Sequence, residues 1–288
     1  MSAKNRARVR MALSAAVFGT IPLFVRNLSL ASGEIALYRA VIASILIGIC
    51  LLVSRQKIPA SAVRTELPLL LLSGVAMGFN WILLFQAYRF TTVSVATLSY
   101  YFAPVLVTVA CPILFRERMS RRQLLCSVMS TIGVLLIVAA GESGSAENHF
   151  LGVALGLGAA VLYALVVLTN KFIRSVSGIQ RTFFQFAAAA VVLIPYVACT
   201  NGFHLGELTG SGLINLLILG LFHTGLTYFL YFTSLRELPG QETAVLSYID
   251  PLVAIILSVA VLGEGITPVQ ILGGAMVLGF ALWNECSA

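Results

Sequence analysis

Clusters of charged and turn residues cut this chain into ten apolar stretches, at 11–27, 34–53, 66–88, 92–115, 122–140, 149–170, 179–200, 210–234, 240–262 and 268–285. Each runs to roughly 20 residues, and a helix of that length, rising about 1.5 Å per residue, matches a hydrocarbon core about 30 Å thick. Open backbone cannot cross lipid, so the stretches read as ten spanning helices. The expected fold class is an all-α membrane protein with ten transmembrane helices. Composition agrees: 59% of the residues are hydrophobic, 10% are charged and the mean hydropathy is +0.98, too few polar side chains to cover a soluble globule of 30.8 kDa. The connections are short and leave nothing for a soluble domain.

The polar inventory excludes most catalysis. There is one aspartate, Asp250, and of the three lysines (Lys4, Lys57, Lys171) none follows a glycine, so a Walker A lysine and a paired-aspartate metal site are both absent. The five cysteines form no CxxC pair, and His149, His204 and His223 form no HExxH motif. Neither a catalytic residue nor a metal nor a cofactor is expected, and the chain reads as a non-enzyme. The net charge of +7 is explained by topology rather than by nucleic acid. With the N-terminus inside, every Lys and Arg except Arg26, Arg39 and Arg89 falls on the cytoplasmic side, while Glu142, Glu147 and Glu207 lie in external loops. Met11 to Val25 runs on without an A-x-A site and reads as a retained first span rather than a cleaved signal. The expected location is a bacterial inner membrane, multi-pass, with both termini cytoplasmic.

The chain is also self-similar at an offset of 147 residues. Residues 78–123 align without a gap on 225–270, with eight identities in 46 positions: Gly78/Gly225, Leu83/Leu230, Phe85/Phe232, Arg89/Arg236, Tyr101/Tyr248, Pro104/Pro251, Glu117/Glu264 and Gln123/Gln270. Prolines, acids and arginines in register are hard to obtain from apolar composition alone. Two units follow, 1–143 and 148–288. Five helices per unit is an odd number, so the units sit in the membrane in opposite orientation. Inverted repeats place a ligand site near the midplane between the halves, open alternately to either side.

These features resemble the drug/metabolite transporter superfamily with two EamA-type repeats. The resemblance rests on the paired prolines, on the acids in LFRERMSRRQ and VLGEGITPVQ, and on the pattern NWILLFQAYRF repeated as TYFLYFTSLRE. Within the superfamily the chain is similar to YddG-type bacterial exporters of aromatic amino acids, although Arg116 departs from the usual small residues before the first acid. The resemblance implies a central cavity surrounded by helices 1 to 4 and 6 to 9, with helices 5 and 10 peripheral.

Polar side chains avoid lipid, so polar helix faces mark the interior. On the fourth stretch Thr97, Tyr101, Pro104 and Thr108 share a face; on the ninth Thr243, Ser247 and Asp250 do the same. The third adds Asn80, Trp81 and Tyr88, the sixth Tyr163, and the eighth Thr224, Thr227, Tyr228 and Tyr231. Candidate substrate contacts are thus Asn80, Trp81, Tyr101, Tyr163, Thr227, Tyr228, Ser247 and Tyr248. To these are added two groups expected near the midplane, Asp250 and His223, which could pair with each other. Arg39 is expected either to snorkel outward toward Glu34 or to meet a substrate carboxylate. Pro104 and Pro251 are expected to kink matching helices and act as gates. Gly74-x-x-x-Gly78 and Gly152-x-x-x-Gly156 are read as intramolecular packing motifs, and Glu117, Glu264 and Lys171 as structural. The function expected is export of small amphipathic metabolites, amino acids including aromatic ones, by a monomer whose partners are a small-molecule substrate and membrane lipid. The competing reading is export of lipophilic cations. A cysteine placed at Ser145, between the fifth and sixth stretches, should react with a membrane-impermeant thiol reagent from outside intact cells; labelling from the cytoplasmic side alone would reject the topology.

Overall fold

The computed structural model describes residues 3–54, 60–115, 119–140, 146–235, 237–238 and 240–286. Among these the chain is helical almost throughout and has no strand. The first span is α1 (Ala3–Gly19) with the short α2 (Ile21–Arg26), the second α3 (Ser32–Val53) and the third α4 (Ala60–Phe90). The fourth is split into α5 (Val93–Tyr100) and α6 (Ala103–Phe115), and the fifth is α7 (Arg121–Ala139). The sixth is α8 (Ala146–Phe172) and the seventh α9 (Gly178–Thr200). The eighth comprises α10 (Gly210–Leu217), a π-helical stretch Ile218–Leu226, and α11 (Thr227–Leu235). The ninth is split into α12 (Gly240–Ser247) and α13 (Ile249–Ala260), and the tenth is α14 (Pro268–Cys286).

Seven helical segments of the described residues are long and apolar enough to cross a membrane; Gly210–Leu226, Val245–Ala260 and Pro268–Asn284 are shorter apolar helices in the places of the last three spans. Ten uniform rods are therefore not what the chain forms. The interruptions of the fourth and ninth spans match: the helix stops at Tyr101–Phe102 and at Tyr248, and restarts with Pro104 or Pro251 in its new first turn. A proline is tolerated there because first-turn N–H groups have no partner within the helix. The expected smooth kinks are thus breaks. Large apolar side chains remain exposed along the outer faces, Leu52 at 79% and Ile113 at 77% among them, which suits lipid and would be a liability in water.

The repeat is visible in the local chemistry. Ser120 and Gln123 close a capping box at the start of α7, with bonds of 2.8 and 3.1 Å, and the aligned Thr267 and Gln270 close one at α14, at 2.9 and 3.2 Å. Packing exchanges in the same way. α4 lies on α8 and α9, while its counterpart, the eighth span, lies on α1 and α3; α5 and α6 pack on α8, and α12 and α13 pack on α1. The pairs α3 with α9, α5 with α13 and α7 with α14 map onto themselves, as elements beside a pseudo-twofold axis must.

At the end of the ninth span the left-handed Gly263 (φ 66°) turns the chain so that Glu264 meets the other half. Its carboxylate pairs with Arg26 at 2.7 Å and accepts bonds from the Val93 N–H, at 2.7 Å, and from the Ser258 hydroxyl. Glu264 is structural, as expected; its repeat mate Glu117 lies outside the described residues, as does Ser145. The glycine pairs also pack internally. A Cβ on Gly74 would lie 2.5 Å from the Gln185 carbonyl of α9, and one on Gly156 2.9 Å from Ser99 of α5. The peripheral pair crosses at Gly133 and Gly273, where a Cβ on either would sit 2.6 Å from the other's carbonyl oxygen. Gly133→Leu should therefore destabilise the protein by about 1–3 kcal/mol through overpacking, seen as a lower melting temperature in detergent with ligand binding at the central cavity retained.

Candidate substrate site

A cavity of about 430 Å³ lies between the two repeats. It is lined by α1 and α2 (Ala15, Phe18, Ile21, Pro22), α3 (Arg39), α4 (Trp81, Leu84, Phe85, Tyr88) and the fourth span (Thr97, Tyr100, Tyr101, Ala103, Pro104). The opposite wall comes from α8 (Tyr163, Val167), α11 (Tyr228, Tyr231) and the ninth span (Ser247, Tyr248, Asp250, Ala254). The seventh span, expected at the wall, stands behind it: the fully buried Phe186 packs at 5.3 Å on both Trp81 and Tyr228. Neither α7 nor α14 lines the cavity.

The two charges of the cavity come from different repeats. Asp250 sits in the first turn of α13, where the helix dipole favours an anion, and accepts a 2.8 Å bond from the Tyr101 hydroxyl. Its repeat counterpart is Ala103 and Tyr101's is Tyr248, so the break in each span brings one tyrosine to the cavity and only one brings an acid. The two tyrosine rings lie 6.1 Å apart. Pro104 and Pro251 have no N–H to offer the carbonyls four residues back, and those carbonyls belong to Tyr100 and Ser247, both cavity residues.

Arg39 does not snorkel. It is 3% exposed, its guanidinium lies 4.5 Å from the centre of the Trp81 ring and 5.8 Å from that of Phe85, and its Nε donates at 2.6 Å to the Thr224 hydroxyl. Glu34, expected to partner it, is taken by His204, accepting from the backbone N–H at 2.7 Å and facing Nδ1 at 3.1 Å. Thr224 lies on the π-helical stretch, whose wide turns are matched by side-chain bonds five residues back: Thr224 donates to Leu219 and Thr227 to Phe222, at 2.9 and 2.8 Å. Gly220 and Gly225 seat that stretch against Ile42 and Leu46 of α3, close enough that a Cβ at Gly220 would stand 2.7 Å from Ile42. The aligned residues of the first repeat, 71–79, belong to the regular helix α4.

His223 does not pair with Asp250. Its Nε2 faces the Thr20 hydroxyl at 2.7 Å, its Nδ1 faces the Ile218 carbonyl at 3.2 Å, and its ring packs on Phe24 at 4.6 Å, away from the cavity wall. Two other expected contacts are engaged elsewhere. Asn80 donates to the Ala159 carbonyl at 2.6 Å, binding α4 to α8, and Thr227 bonds to its own helix. Of the two prolines expected as gates, both stand in the first turn of a restarted helix and Pro104 lines the cavity. Trp81, Tyr101, Tyr163, Tyr228, Ser247, Tyr248, Asp250 and Arg39 come together as lining. Residues missed in the sequence are Phe18, Phe85 and Tyr100. Their apolar or aromatic character fits a packed core equally well; only the repeat register, which pairs Phe85 with Phe232 and puts Tyr100 opposite Ser247, marked two of them.

A helical protein of many spans, built as two repeats around a central polar-and-aromatic cavity, has the architecture of a membrane transporter. The profile of the EamA-like transporter family matches residues 8–139 and again 150–284, and this chain belongs to that family. It is 30% identical over 286 residues to the uncharacterized transporter YxxF of Bacillus subtilis, covering 97% of this chain and 89% of that one. It is 28% identical to an uncharacterized transporter of Archaeoglobus fulgidus, over 95% of this chain and 94% of that one. A crystal structure sharing 15% identity superposes with a TM-score of 0.67 over 98% of this chain and 97% of its own, which speaks to the fold alone.

Thr224→Val should leave the buried Arg39 Nε without its acceptor. A loss of about 1.5–3 kcal/mol in unfolding free energy is expected, as for hydrogen bonds to charged groups, with Thr224→Ser close to wild type.

Proposed function

We propose that this transporter exports small amphipathic metabolites, amino acids including aromatic ones, across a bacterial inner membrane in which both its termini are cytoplasmic. The observation that carries this reading is that Arg39 and Asp250 line one cavity of about 430 Å³ whose remaining wall is largely aromatic. That volume is within the range of ordinary small-ligand sites. A zwitterion needs an acceptor for its ammonium, which Asp250 can be, and a donor for its carboxylate, which the Nη groups of Arg39 can be while Nε is held by Thr224. An aromatic side chain would rest on Trp81, Phe85 and Tyr228. Alternating access is supported by the architecture: matching breaks in the fourth and ninth spans allow each half-helix to tilt about the cavity, between ties that join the halves at Glu264 with Arg26 on one side and at Arg10 with Glu237 on the other.

Export of lipophilic cations is the second reading. It is favoured by the carboxylate within an aromatic wall, and it makes no use of Arg39. Efflux from proteoliposomes separates the two, with phenylalanine and tetraphenylphosphonium as probes. Asp250→Asn should impair both probes, while Arg39→Gln should impair phenylalanine alone, by about tenfold or more, the worth of one hydrogen bond to a charged group. Loss of both probes in Arg39→Gln, with the protein folded, would favour neither zwitterion nor cation recognition and would make Arg39 a structural group.

A further inference from the structure

A second cavity, of about 380 Å³, lies between the ninth span and α14. Its walls are apolar: Leu98, Leu252, Ile255, Gly274 and Leu278 among them, with Tyr248 at its inner end. Tyr248 also lines the central cavity, so this residue borders both spaces. Two residues along, Asp250 accepts its bond from Tyr101, whose ring is 6.1 Å from that of Tyr248. The acid's cavity and the apolar groove therefore meet at Tyr248.

The groove opens onto the bilayer. Leu252 and Ile271 on its rim are 51% and 53% exposed, as lipid-facing residues are, and the space exists partly because α14 carries Gly279, where an added Cβ would meet nothing within 4 Å. Hydrocarbon moved from the surrounding lipid into such a groove exchanges one apolar setting for another, so an alkyl chain enters without cost in hydration. A polar or charged occupant would lose its hydration for little return, since Gln270, the polar residue of the lining besides Tyr248, bonds to the backbone of Thr267 and Ala140.

We propose that this groove is a binding site for the alkyl tail of a single-chain amine whose ammonium sits at Asp250 and whose chain passes Tyr248. The inference rests on the assignment of Asp250 as the ammonium partner, and it extends the substrate class to amphiphiles that enter sideways from the membrane.

The test is equilibrium binding of butylamine and dodecylamine to the protein in lipid nanodiscs. Gly279→Phe fills the groove and should leave butylamine binding unchanged. It should weaken dodecylamine by about tenfold, because a tail that passes Tyr248 into the groove meets the added ring, a clash of the size of core overpacking. Equal affinity of Gly279→Phe and wild type for dodecylamine would overturn the groove. Asp250→Asn should weaken both amines; unchanged butylamine binding there would instead remove the ammonium assignment, and the proposal with it. A second measurement needs no variant of the groove. Trp283, one residue beyond the lining residue Leu282, is 45% exposed. In a Trp81→Phe background, ω-bromododecylamine should quench Trp283 fluorescence, and butylamine, competing for Asp250, should relieve the quenching. Quenching that butylamine does not relieve would show a tail resting on the outer surface and would overturn the link to the cavity.

Discussion

A backbone inside lipid has to satisfy its own N–H and C=O groups, and this requirement organises the protein. Regular α-helix meets it everywhere except where another part of the protein takes over. The departures from regular helix within the fourth, eighth and ninth spans lie against the central cavity or the residues that hold Arg39. At Tyr101–Phe102 and Tyr248 the helix stops and restarts, and the carbonyls of Tyr100 and Ser247 that the prolines cannot serve belong to cavity-lining residues. At Ile218–Leu226 the ladder widens, and hydroxyl groups of Thr224 and Thr227 supply bonds to carbonyls five residues back. The irregular backbone thus has protein interior along one side, with Leu221, Phe222 and Leu226 of the widened stretch on the outer surface, and the smooth helices α7 and α14 face lipid.

The same constraint decides how the charges are held. Asp250 is placed at a helix start created by the break, with a tyrosine from the other repeat donating to it. Arg39 is held by a hydroxyl that the π-helical stretch presents and by the faces of Trp81 and Phe85. Neither charge is in contact with the other's repeat by accident: Tyr101 reaches from the first half to Asp250, and Thr224 reaches from the second half to Arg39. The contacts that hold the two charges therefore cross the repeat boundary.

The sequence made the scaffold legible because repeat-matched residues have structural jobs that do not depend on a ligand. Pro104 and Pro251 begin half-helices, Gln123 and Gln270 close capping boxes, and Gly78 and Gly225 admit the neighbouring helices α9 and α3. Eight of the proposed contacts do meet at the cavity because aromatic and polar side chains at interior depth had few other places to go. What was not legible depended on rotation about the helix axis. A widened stretch turns later residues away from their 3.6-residue positions, so His223 faces Thr20 and Phe24 instead of Asp250, and Thr224 faces Arg39. Arg39 defeated the expectation of snorkelling because its natural partner by sequence, Glu34, is engaged by His204, from a loop far along the chain. Phe18 could not be told from core because an apolar side chain carries no mark of which neighbour it meets.

Symmetry and chemistry have parted company between the repeats. The packing roles are shared, yet Ala76 faces His223 in the alignment, Met77 faces Thr224, and Ala103 faces Asp250. A symmetric scaffold can rock between two arrangements of similar energy because the same helix contacts serve both, whereas charges without a repeat counterpart, Arg39 in the first half and Asp250 in the second, leave the cavity with a cationic and an anionic pole. A ligand that met Arg39 and Asp250 together would tie one repeat to the other, and a ligand that met Asp250 alone would not. Whether a ligand can draw the halves together thus depends on its own two ends, and a small difference in substrate chemistry becomes a difference in which conformations it stabilises.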